Sequence, residues 1–390
     1  MKVLMISQDF WPLKGGISSY LMEVYKKYFS KTQFEAIIPL TIKENTKNRF
    51  FKVHKMEFAP FDFKNAKRRK CNRELLKKVR EIAPDILLFG YLRSHPEIGE
   101  AYKKINRKSR FGIFLHGKEA FIEEAQTKKN NLKGIQKGYT LKEAEFYKKI
   151  LNSADVLFSV SNFTKEIIKR QGINNQILTI YPSLNITERY KIAQAKKRLG
   201  LEKKRIVLSV GRLIKRKGHL RIIRVLPSLI NEIPAIRYII VGNGPEKENL
   251  EKEIKKRKLE EIVKMHTSVS DSELSLFYSA CDVFVLPCSH LVPNDVEGFG
   301  IVFLEANAYK KPVIGTHTGG IPEAIINNET GYLIDPKNSR ELKRKILKLL
   351  ENSNLRKKMG EKGRKRVISQ FNSKPSNDLI NLFKKDTLHH

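Results

Sequence analysis

Cysteines are scarce in this chain of 390 residues. The three that occur, Cys71, Cys281 and Cys288, are unevenly spaced and form no Cys-x-x-Cys pair. They therefore offer no disulfide framework. The apolar, strand-like surroundings of Cys281 and Cys288 indicate buried thiols in a reducing cytosol.

Long hydrophobic runs are missing as well. No apolar stretch approaches the roughly 18–20 residues of a membrane-spanning helix. Residues 1–10 lack the apolar core and small-residue cleavage site of a signal peptide, and they predict a first β-strand instead. These absences favour a cytoplasmic protein, and peripheral attachment to the inner face of the cytoplasmic membrane stays open.

Acidic residues are few compared with basic ones. The chain has 41 Asp and Glu residues against 76 Lys and Arg residues, which gives a net charge of +35. A field of this sign attracts nucleic acid, anionic lipid surfaces or phosphorylated small molecules. No helix-turn-helix, zinc-finger or ribonucleoprotein motif accompanies the basic clusters. A basic nucleic-acid-binding protein is therefore a distant alternative, and no nucleic-acid partner is expected.

One basic segment, residues 66–82, predicts an amphipathic helix. Its apolar residues recur at spacings of four, four and three, at Cys71, Leu75, Val79 and Ile82. The favoured interpretation is a domain helix with a solvated basic face. The alternative, compatible with the first, is a helix that rests on an anionic membrane surface.

Short strand-like and helix-like segments alternate in two series. Continuous Ile, Val and Leu runs indicate strands buried on both faces of parallel sheets. The first series predicts the strands KVLMIS, EAIIPL, PDILLFG, RFGIFLHG, VLFSVS and QILTIYP, with helices over 16–31, 66–82 and 139–153. The second series predicts RIVLSVG, RYIIVGNG, IVKMH, VFVLP, PVIGT and GYLIDP.

Two such series predict an α/β protein with two doubly wound Rossmann-like domains, since the chain exceeds what one core usually fills. The polar, lysine-rich stretch 183–204 predicts the linker. We therefore expect an N-terminal domain of residues 1–183 and a second domain from residue 184. Ligands of such sheets bind at the carboxyl ends of the strands.

The candidate site residues of the N-terminal domain follow two predicted strands. Gly15 and Gly16 come after the first strand, where paired glycines permit close approach of a ligand and the next helix N-terminus favours phosphate. A plain turn is an equal alternative. His116 ends the fourth strand and could hydrogen-bond a substrate, although a lone histidine is more often structural. The G-x-G-x-x-G pattern is missing, which argues against a dinucleotide enzyme.

In the second domain, cations and glycines follow the first three strands. Residues 211–218 hold four cations beside glycines, and the planar fork of Arg212 and the mobile charge of Lys217 suit a diphosphate. The turn at Gly242 and the segment 266–271 follow the next two strands, where a base or ribose could pack. A solvated basic loop or a structural turn is the alternative.

Residues 295–323 are the most informative segment. Glu297 and Glu305 bracket seven residues that open with Gly-Phe-Gly, and the apolar run 301–304 predicts the start of a buried helix. Charged residues are almost never fully buried without a partner. Glu305 therefore needs one, and a bound polyhydroxylated ligand is a natural candidate.

These motifs resemble those of the retaining GT-B glycosyltransferases of glycosyltransferase family four, along nearly the whole chain. The most specific element is E-x7-E with an internal Gly-Phe-Gly, downstream of G-R-x-x-x-x-K-G. The resemblance is carried by FWPLKGGIS (10–18), LHGKE (115–119), ADVLFSVSNFTKEII (154–168), VGRLIKRKG (210–218), VGNGPEKENL (241–250), VSDSELSLFYSACDVFVLP (269–287), EGFGIVFLEA (297–306) and PVIGTHTGGIPEAI (312–325).

The resemblance implies two Rossmann-like domains that face each other across a cleft. The nucleotide-sugar-binding domain would span residues 184–371, and residues 372–390 would form a helix that crosses back to the N-terminal domain. The implied activity is retaining transfer of a hexose from a nucleotide-diphosphate sugar, with no metal and no other cofactor. We expect a lipid-linked or glycan acceptor, as in cell-envelope glycan synthesis, with a small soluble acceptor as the alternative.

The resemblance also implies roles for residues of the second domain. Arg212 and Lys217 would hold the donor diphosphate. Glu305 would accept hydrogen bonds from both ribose hydroxyls, and Glu297 would contact the donor sugar. The pair would be a clamp on one ligand and not the acid and base of a hydrolase. The further donor-binding residues are Gly211, Gly242, Val269, Phe299, Gly300 and Ile301.

In the N-terminal domain, Gly15 and Gly16 would border the diphosphate and His116 would touch the sugar near the reacting carbon. The family's histidine after the third predicted strand is replaced by Phe89-Gly90, and the usual Asn-Gly turn is missing from residues 181–185. Acceptor-side and linker contacts are therefore not carried over. The segment around Glu297 looks like that of phosphatidylinositol mannosyltransferases, which favours GDP-mannose slightly over UDP-hexoses and UDP-N-acetylhexosamines.

Overall fold

The chain folds into two compact units, residues 1–183 with 373–390 and residues 184–372. The computed structural model describes residues 1–10, 12, 15–30, 33–40, 51–58, 66–117, 141–184, 190–289, 296–372, 379 and 383.

The first unit alternates strands with helices. Its elements are β1 (Val3–Ile6), α1 (Gly16–Tyr28), β2 (Phe34–Pro39), β3 (Lys52–Met56), α2 (Ala66–Ile82), β4 (Ile86–Phe89), α3 (Glu97–Ile105), β5 (Arg110–Leu115), α4 (Leu141–Ser153), β6 (Val156–Ser159), α5 (Asn162–Arg170) and β7 (Ile177–Thr179). The strands form one parallel sheet in the order β3-β2-β1-β4-β5-β6-β7. In register, Val3 lies between Phe34 and Ile86.

The second unit repeats this plan. Its elements are α6 (Ile192–Arg198), β8 (Arg205–Val210), α7 (His219–Ile230), β9 (Ile236–Val241), α8 (Lys247–Lys256), β10 (Val263–His266), α9 (Asp271–Ala280), β11 (Val283–Val285), α10 (Ile301–Ala308), β12 (Val313–Thr316), α11 (Ile321–Ala324), β13 (Gly331–Ile334), α12 (Ser339–Glu351) and α13 (Ser353–Gln370). The sheet order is β10-β9-β8-β11-β12-β13, again parallel. The prediction of two doubly wound domains is confirmed.

All twelve predicted strands are present, but the sequence missed β3. This strand lies at the edge of its sheet beside β2 and carries Lys52, His54 and Lys55. It has no continuous apolar run because its residues are exposed or half-buried. Helix α1 is also shorter than the predicted 16–31, since Phe29 already has an extended backbone.

Helix α2 has the predicted span and phase. Cys71, Leu75, Val79 and Ile82 are buried in the first unit, so its apolar stripe belongs to the core. The basic side chains on the opposite face are exposed, among them Arg69, Lys70, Arg73 and Lys77. Nowhere in the described part of the chain is there a helix with the length and apolarity needed to cross a membrane.

The predicted C-terminal helix over 372–390 falls almost entirely outside the described residues. Leu379 and Phe383 are described, and both are buried. The ring of Phe383 lies 6.3 Å from that of Phe158 in β6, within the first unit.

Candidate active site

The site of the second unit lies where its strand order reverses. Successive strands extend from β8 through β9 to β10 on one side and from β11 to β13 on the other, so β8 and β11 flank the switch point at which doubly wound sheets bind ligands. The loops that follow these two strands touch at Gly218, which has φ 76°. A Cβ there would lie 2.1 Å from the carbonyl oxygen of Pro287, so glycine is required.

Two cations from the β8 loop bind one carboxylate from the β11 loop. Arg216 Nη1 lies 2.6 Å and Lys217 Nζ 2.5 Å from the same oxygen, Oε2 of Glu297. All three side chains are largely buried, with 11–15% exposed. Burial by itself would raise the pKa of Glu297, but the attraction and hydrogen bonds of Lys217 and Arg216 outweigh it and lower the pKa to about 2. Glu297 is therefore ionised throughout the physiological range.

A glycine turn holds the backbone of Glu297. The amide of Gly320 donates to the Glu297 carbonyl oxygen at 2.9 Å. Gly319, at φ 58°, lies so close that a Cβ would be 2.2 Å from the same oxygen. Both the carboxylate and the main chain of Glu297 are thus fixed by neighbouring loops.

Glu305 does have the polar partner that its burial predicted. It lies on α10, and its Oε2 accepts a 2.6 Å hydrogen bond from the hydroxyl of Tyr278 on α9. Burial raises the pKa of Glu305, while the Tyr278 hydrogen bond and the charge of Lys217 oppose that rise. The partner in the structure is a tyrosine, and the ribose diol remains an expectation.

Arg212 is exposed at the start of the β8 loop. Within the described residues, its side chain forms no hydrogen bond or ion pair. Unlike Lys217, it is therefore available to an anion without giving up a protein partner. Burial lowers the pKa of the nearby His219, with a further lowering from Lys217, to about 4. His219 is thus neutral and adds no charge to the cluster.

The other predicted donor residues lie at strand ends or at the start of α10. Gly211 and Gly242 follow β8 and β9, and the Gly211 amide donates to the Val241 carbonyl at 2.9 Å. Val269 lies between β10 and α9. Phe299 and Gly300 immediately precede α10, and Ile301 is its first residue.

The remaining predicted residues lie in the first unit, with Gly15 and Gly16 at the start of α1 and His116 directly after β5. No described atom lies within 4 Å of a Cβ built on Gly15 or Gly16, so packing against described residues does not explain these glycines. His116 Nε2 lies 2.8 Å from the Gly90 carbonyl oxygen. Because a carbonyl only accepts, Nε2 carries a proton. The first histidine after β4 is His95, which is fully buried and bonds to Asn72 on α2.

Three residues of the site, Arg216, Tyr278 and Gly319, could not be recognised from the sequence. Arg216 was one of the four cations counted after β8, but nothing in the sequence distinguished it as a partner of Glu297. Tyr278 gave no signal because it resembles a core aromatic residue of α9. Gly319 belongs to a Gly-Gly pair whose contact with Glu297 depends on tertiary structure. Among the described residues, no group of three or more His, Cys, Asp or Glu side chains could hold a metal ion.

Comparison with known proteins identifies the unit that carries this cluster. Residues 191–366 match the family model for glycosyl transferases group 1. The second unit is a group 1 glycosyl transferase domain. This glycosyl transferase domain contains Arg212, Lys217, Glu297 and Glu305, so the cluster lies within the matched region.

Relatives extend the similarity beyond this domain. Over 230 residues the chain is 31% identical to the GDP-mannose-dependent alpha-(1-6)-phosphatidylinositol monomannoside mannosyltransferase of Mycobacterium tuberculosis. The aligned region covers 57% of this chain and 60% of that protein. The chain thus spans less than two thirds of that relative. Over 311 residues the chain is 27% identical to N-acetyl-alpha-D-glucosaminyl L-malate synthase of Bacillus anthracis, and the aligned region covers 77% of this chain and 75% of that protein.

A solved structure establishes the fold. HepE of Anabaena, in complex with UDP, matches 100% of this chain and 99% of its own with a TM-score of 0.77 and 19% identity. At this identity the likeness concerns the fold alone. The glycosyl transferase domain is accordingly one half of a GT-B fold.

Proposed function

We propose that this protein is a retaining, metal-independent glycosyltransferase that moves a hexose from a nucleotide-diphosphate sugar to a lipid-linked or glycan acceptor. The observation that carries the proposal is the cluster at the β8–β11 switch point, where Lys217 and Arg216 bind Glu297. This edge of a doubly wound sheet is where nucleotides bind. The cluster lies in a glycosyl transferase domain.

The donor is expected to lie along this edge of the sheet. Arg212 and Lys217 hold the diphosphate, with the amides of Phe299, Gly300 and Ile301 close to the sugar and phosphate. Glu305 accepts hydrogen bonds from the ribose hydroxyls. The further contacts assigned to the donor are Gly211, Gly242, Val269 and Glu297.

The reaction breaks the bond between the anomeric carbon and the diphosphate oxygen. Negative charge develops on the departing diphosphate, and Arg212 and Lys217 are preorganised to stabilise it, which is typically the largest catalytic contribution. These cations supply the positive charge that a divalent metal would otherwise provide. The acceptor oxygen attacks from the face that the diphosphate leaves, and its proton passes to a phosphate oxygen. Glu297, with a pKa of about 2, is ionised and accepts hydrogen bonds from the sugar.

The base and sugar of the donor can be found with a thermal-shift panel. A ligand that binds only the folded state raises its stability by mass action. GDP-mannose is supported by the mannosyltransferase relative, and UDP-sugars by the fold relative that binds UDP. UDP, GDP, ADP and their sugars should therefore be compared, and the sugar that stabilises most should then be tested for transfer. If none of them shifts the melting temperature, the proposal is wrong.

The proposal has two forms, which differ in whether the acceptor is lipid-linked or small and soluble. The mannosyltransferase relative is named for phosphatidylinositol monomannoside, and the exposed basic face of α2 suits an anionic lipid surface. In that form the protein acts in the cytoplasm, at the inner face of the membrane. A small soluble acceptor is favoured instead by the relative named for synthesis of an L-malate glycoside. Salt-sensitive binding to anionic vesicles would favour the lipid acceptor.

A further inference from the structure

One hydrogen bond connects two helices beside the switch point. The hydroxyl of Tyr278, on the last turns of α9, donates to Glu305 Oε2 on α10 at 2.6 Å. Tyr278 is 2% exposed. A buried phenol hydroxyl usually needs a partner. Burial, with the nearby charge of Glu305, raises the pKa of Tyr278 well above its usual value, so the hydroxyl remains a donor at physiological pH.

The ring of Tyr278 is held by aromatic neighbours. It stacks on Tyr309, with ring centroids 5.4 Å apart and planes 17° apart, and it lies against Phe284 at 6.0 Å. The hydroxyl of Tyr309 is 2.7 Å from Ser275 Oγ. A donor fixed in this way restrains the carboxylate that accepts from it. An unrestrained glutamate would lose side-chain freedom on binding a ligand, which weakens binding.

We propose that Tyr278 is a positioning residue, which binds Glu305 Oε2 and so holds the carboxylate ready for the ribose hydroxyls of the donor. The inference rests on the proposed function. A carboxylate offers about four lone-pair sites on its two oxygens. Tyr278 occupies one of them, which leaves enough acceptors for a vicinal diol. Tyr278 acts through Glu305 and does not touch the nucleotide.

The same bond also affects when Glu305 is charged. Burial raises the pKa of Glu305, whereas the Tyr278 hydrogen bond and the charge of Lys217 lower it, so removing the Tyr278 hydroxyl raises it further. The ionised carboxylate accepts from the two ribose hydroxyls more strongly than the protonated form, whose O–H is itself a donor. Nucleotide affinity should therefore fall as the pH drops through this pKa, and it should fall at a higher pH once the hydroxyl is gone.

The test compares Tyr278→Phe with Tyr309→Phe, a matched control that removes a hydroxyl from the adjacent stacked ring. Dissociation constants are measured by calorimetry for UDP, GDP and ADP and for their 2′-deoxy and 3′-deoxy forms. We expect the best-binding ribonucleotide to bind Tyr278→Phe about tenfold more weakly, with little change for the deoxy forms. Tyr309→Phe should bind like the wild type. In transfer assays the donor KM should rise while kcat is kept.

The possible results distinguish a failure of the Tyr278 proposal from a failure of the proposed function. If wild-type protein discriminates against the deoxy forms and Tyr278→Phe does so equally well, the positioning role is wrong and the donor site stands. If wild-type protein binds no nucleotide, or binds ribo and deoxy forms alike, the ribose assignment of Glu305 fails first. If Tyr278→Phe does not fold, 3-fluorotyrosine at position 278 keeps the ring and donates more strongly. The acid midpoint of nucleotide affinity should then fall, and an unchanged midpoint would overturn the inference.

Discussion

Lys217 Nζ lies 2.5 Å from Glu297 Oε2, although 80 positions separate the two residues in the chain. Both residues were expected to contact the donor, Lys217 at the diphosphate and Glu297 at the sugar. The ion pair means that Lys217 is already neutralised by the protein. A diphosphate that binds Lys217 must therefore share or replace the Glu297 carboxylate, and Arg216 remains to balance that carboxylate.

Glu297→Gln should destabilise the protein in a pH-dependent way. The pKa of Glu297 is lowered from 4.5 to about 2 in the folded state, which corresponds to about 3 kcal/mol of stability at neutral pH. A lowered pKa contributes stability above pH 4.5, and this contribution is lost as the pH falls towards 2. In urea denaturation, the difference in free energy of unfolding between the wild type and the variant should be largest at pH 6 and should decrease steadily below pH 4.5. A difference that does not change with pH would contradict the ion pair.

Arg216→Ala and Arg212→Ala should behave differently, although both remove an arginine from the same loop. Arg216 is one of two cations on a buried carboxylate, so its loss should lower the free energy of unfolding by about 2 kcal/mol. Arg212 is exposed, so its loss should change stability by less than about 0.5 kcal/mol. Arg212→Ala should instead weaken binding of the nucleoside diphosphate. Denaturation and calorimetry on the two variants check both expectations, and equal stabilities would mean that Arg216 does not hold Glu297.

Glu305 and Lys217 are assigned to opposite ends of the nucleotide, so replacing each of them should affect a different quantity, binding or kcat. Glu305→Ala removes the acceptor for the ribose, so it should weaken nucleotide binding about tenfold. Lys217→Ala removes a charge that faces the leaving diphosphate, so it should mainly lower kcat, by about a hundredfold. Lys252→Ala, on the exposed side of α8, serves as a control. Wild-type donor turnover in both site variants would show that the site is placed wrongly.

The sequence predicted the strands that contain apolar runs and missed β3, which contains none. Strands such as β8 and β12 are continuous apolar runs because helices cover both faces of the sheet. The edge strand β3 is charged, so it carries no such signal. The apolar runs also indicated where the candidate site would lie. The cations and glycines follow the run of β8, so they lie at the carboxyl end of a parallel strand.

The contacts within the site could not be predicted from the sequence. Glu305 was expected to need a partner because it interrupts an apolar helix, and that expectation is confirmed. The identity of the partner, Tyr278, depends on how α9 packs beside α10, which no local pattern reports. Likewise, the choice of Arg216 and Lys217 over Arg212 as partners of Glu297 is set by the turn after β8, and all three are equally basic in the sequence.

The basic face of α2 should decide whether the protein binds membranes. Arg69, Lys70 and Arg73 are exposed there, and each is expected to contribute about 1 kcal/mol near an anionic surface. Replacing all three by Glu should abolish cosedimentation with phosphatidylcholine vesicles that contain phosphatidylglycerol.

The matched control for this test is a second charge-reversed variant. Lys252, Lys255 and Lys256 are exposed on α8 of the second unit, and their replacement by Glu changes the net charge equally. It should leave vesicle binding nearly intact. If both triple variants lose binding alike, the attraction comes from net charge and not from α2.

Gly319→Ala should abolish donor turnover through the backbone of Glu297. Gly319 has φ 58°, and a Cβ there would lie 2.2 Å from the Glu297 carbonyl oxygen, so the loop that fixes Glu297 must move. Gly200→Ala is the matched control, because Gly200 has nearly the same φ, 64°, and no described atom within 4 Å of its Cβ. Both variants share the cost of a left-handed alanine, about 1–2 kcal/mol. Only Gly319→Ala adds the collision, so it should unfold at distinctly lower urea concentration and lose transfer activity, whereas Gly200→Ala should keep its activity. Equal stability and activity in the two variants would mean that the turn at Gly319 does not hold Glu297 in place.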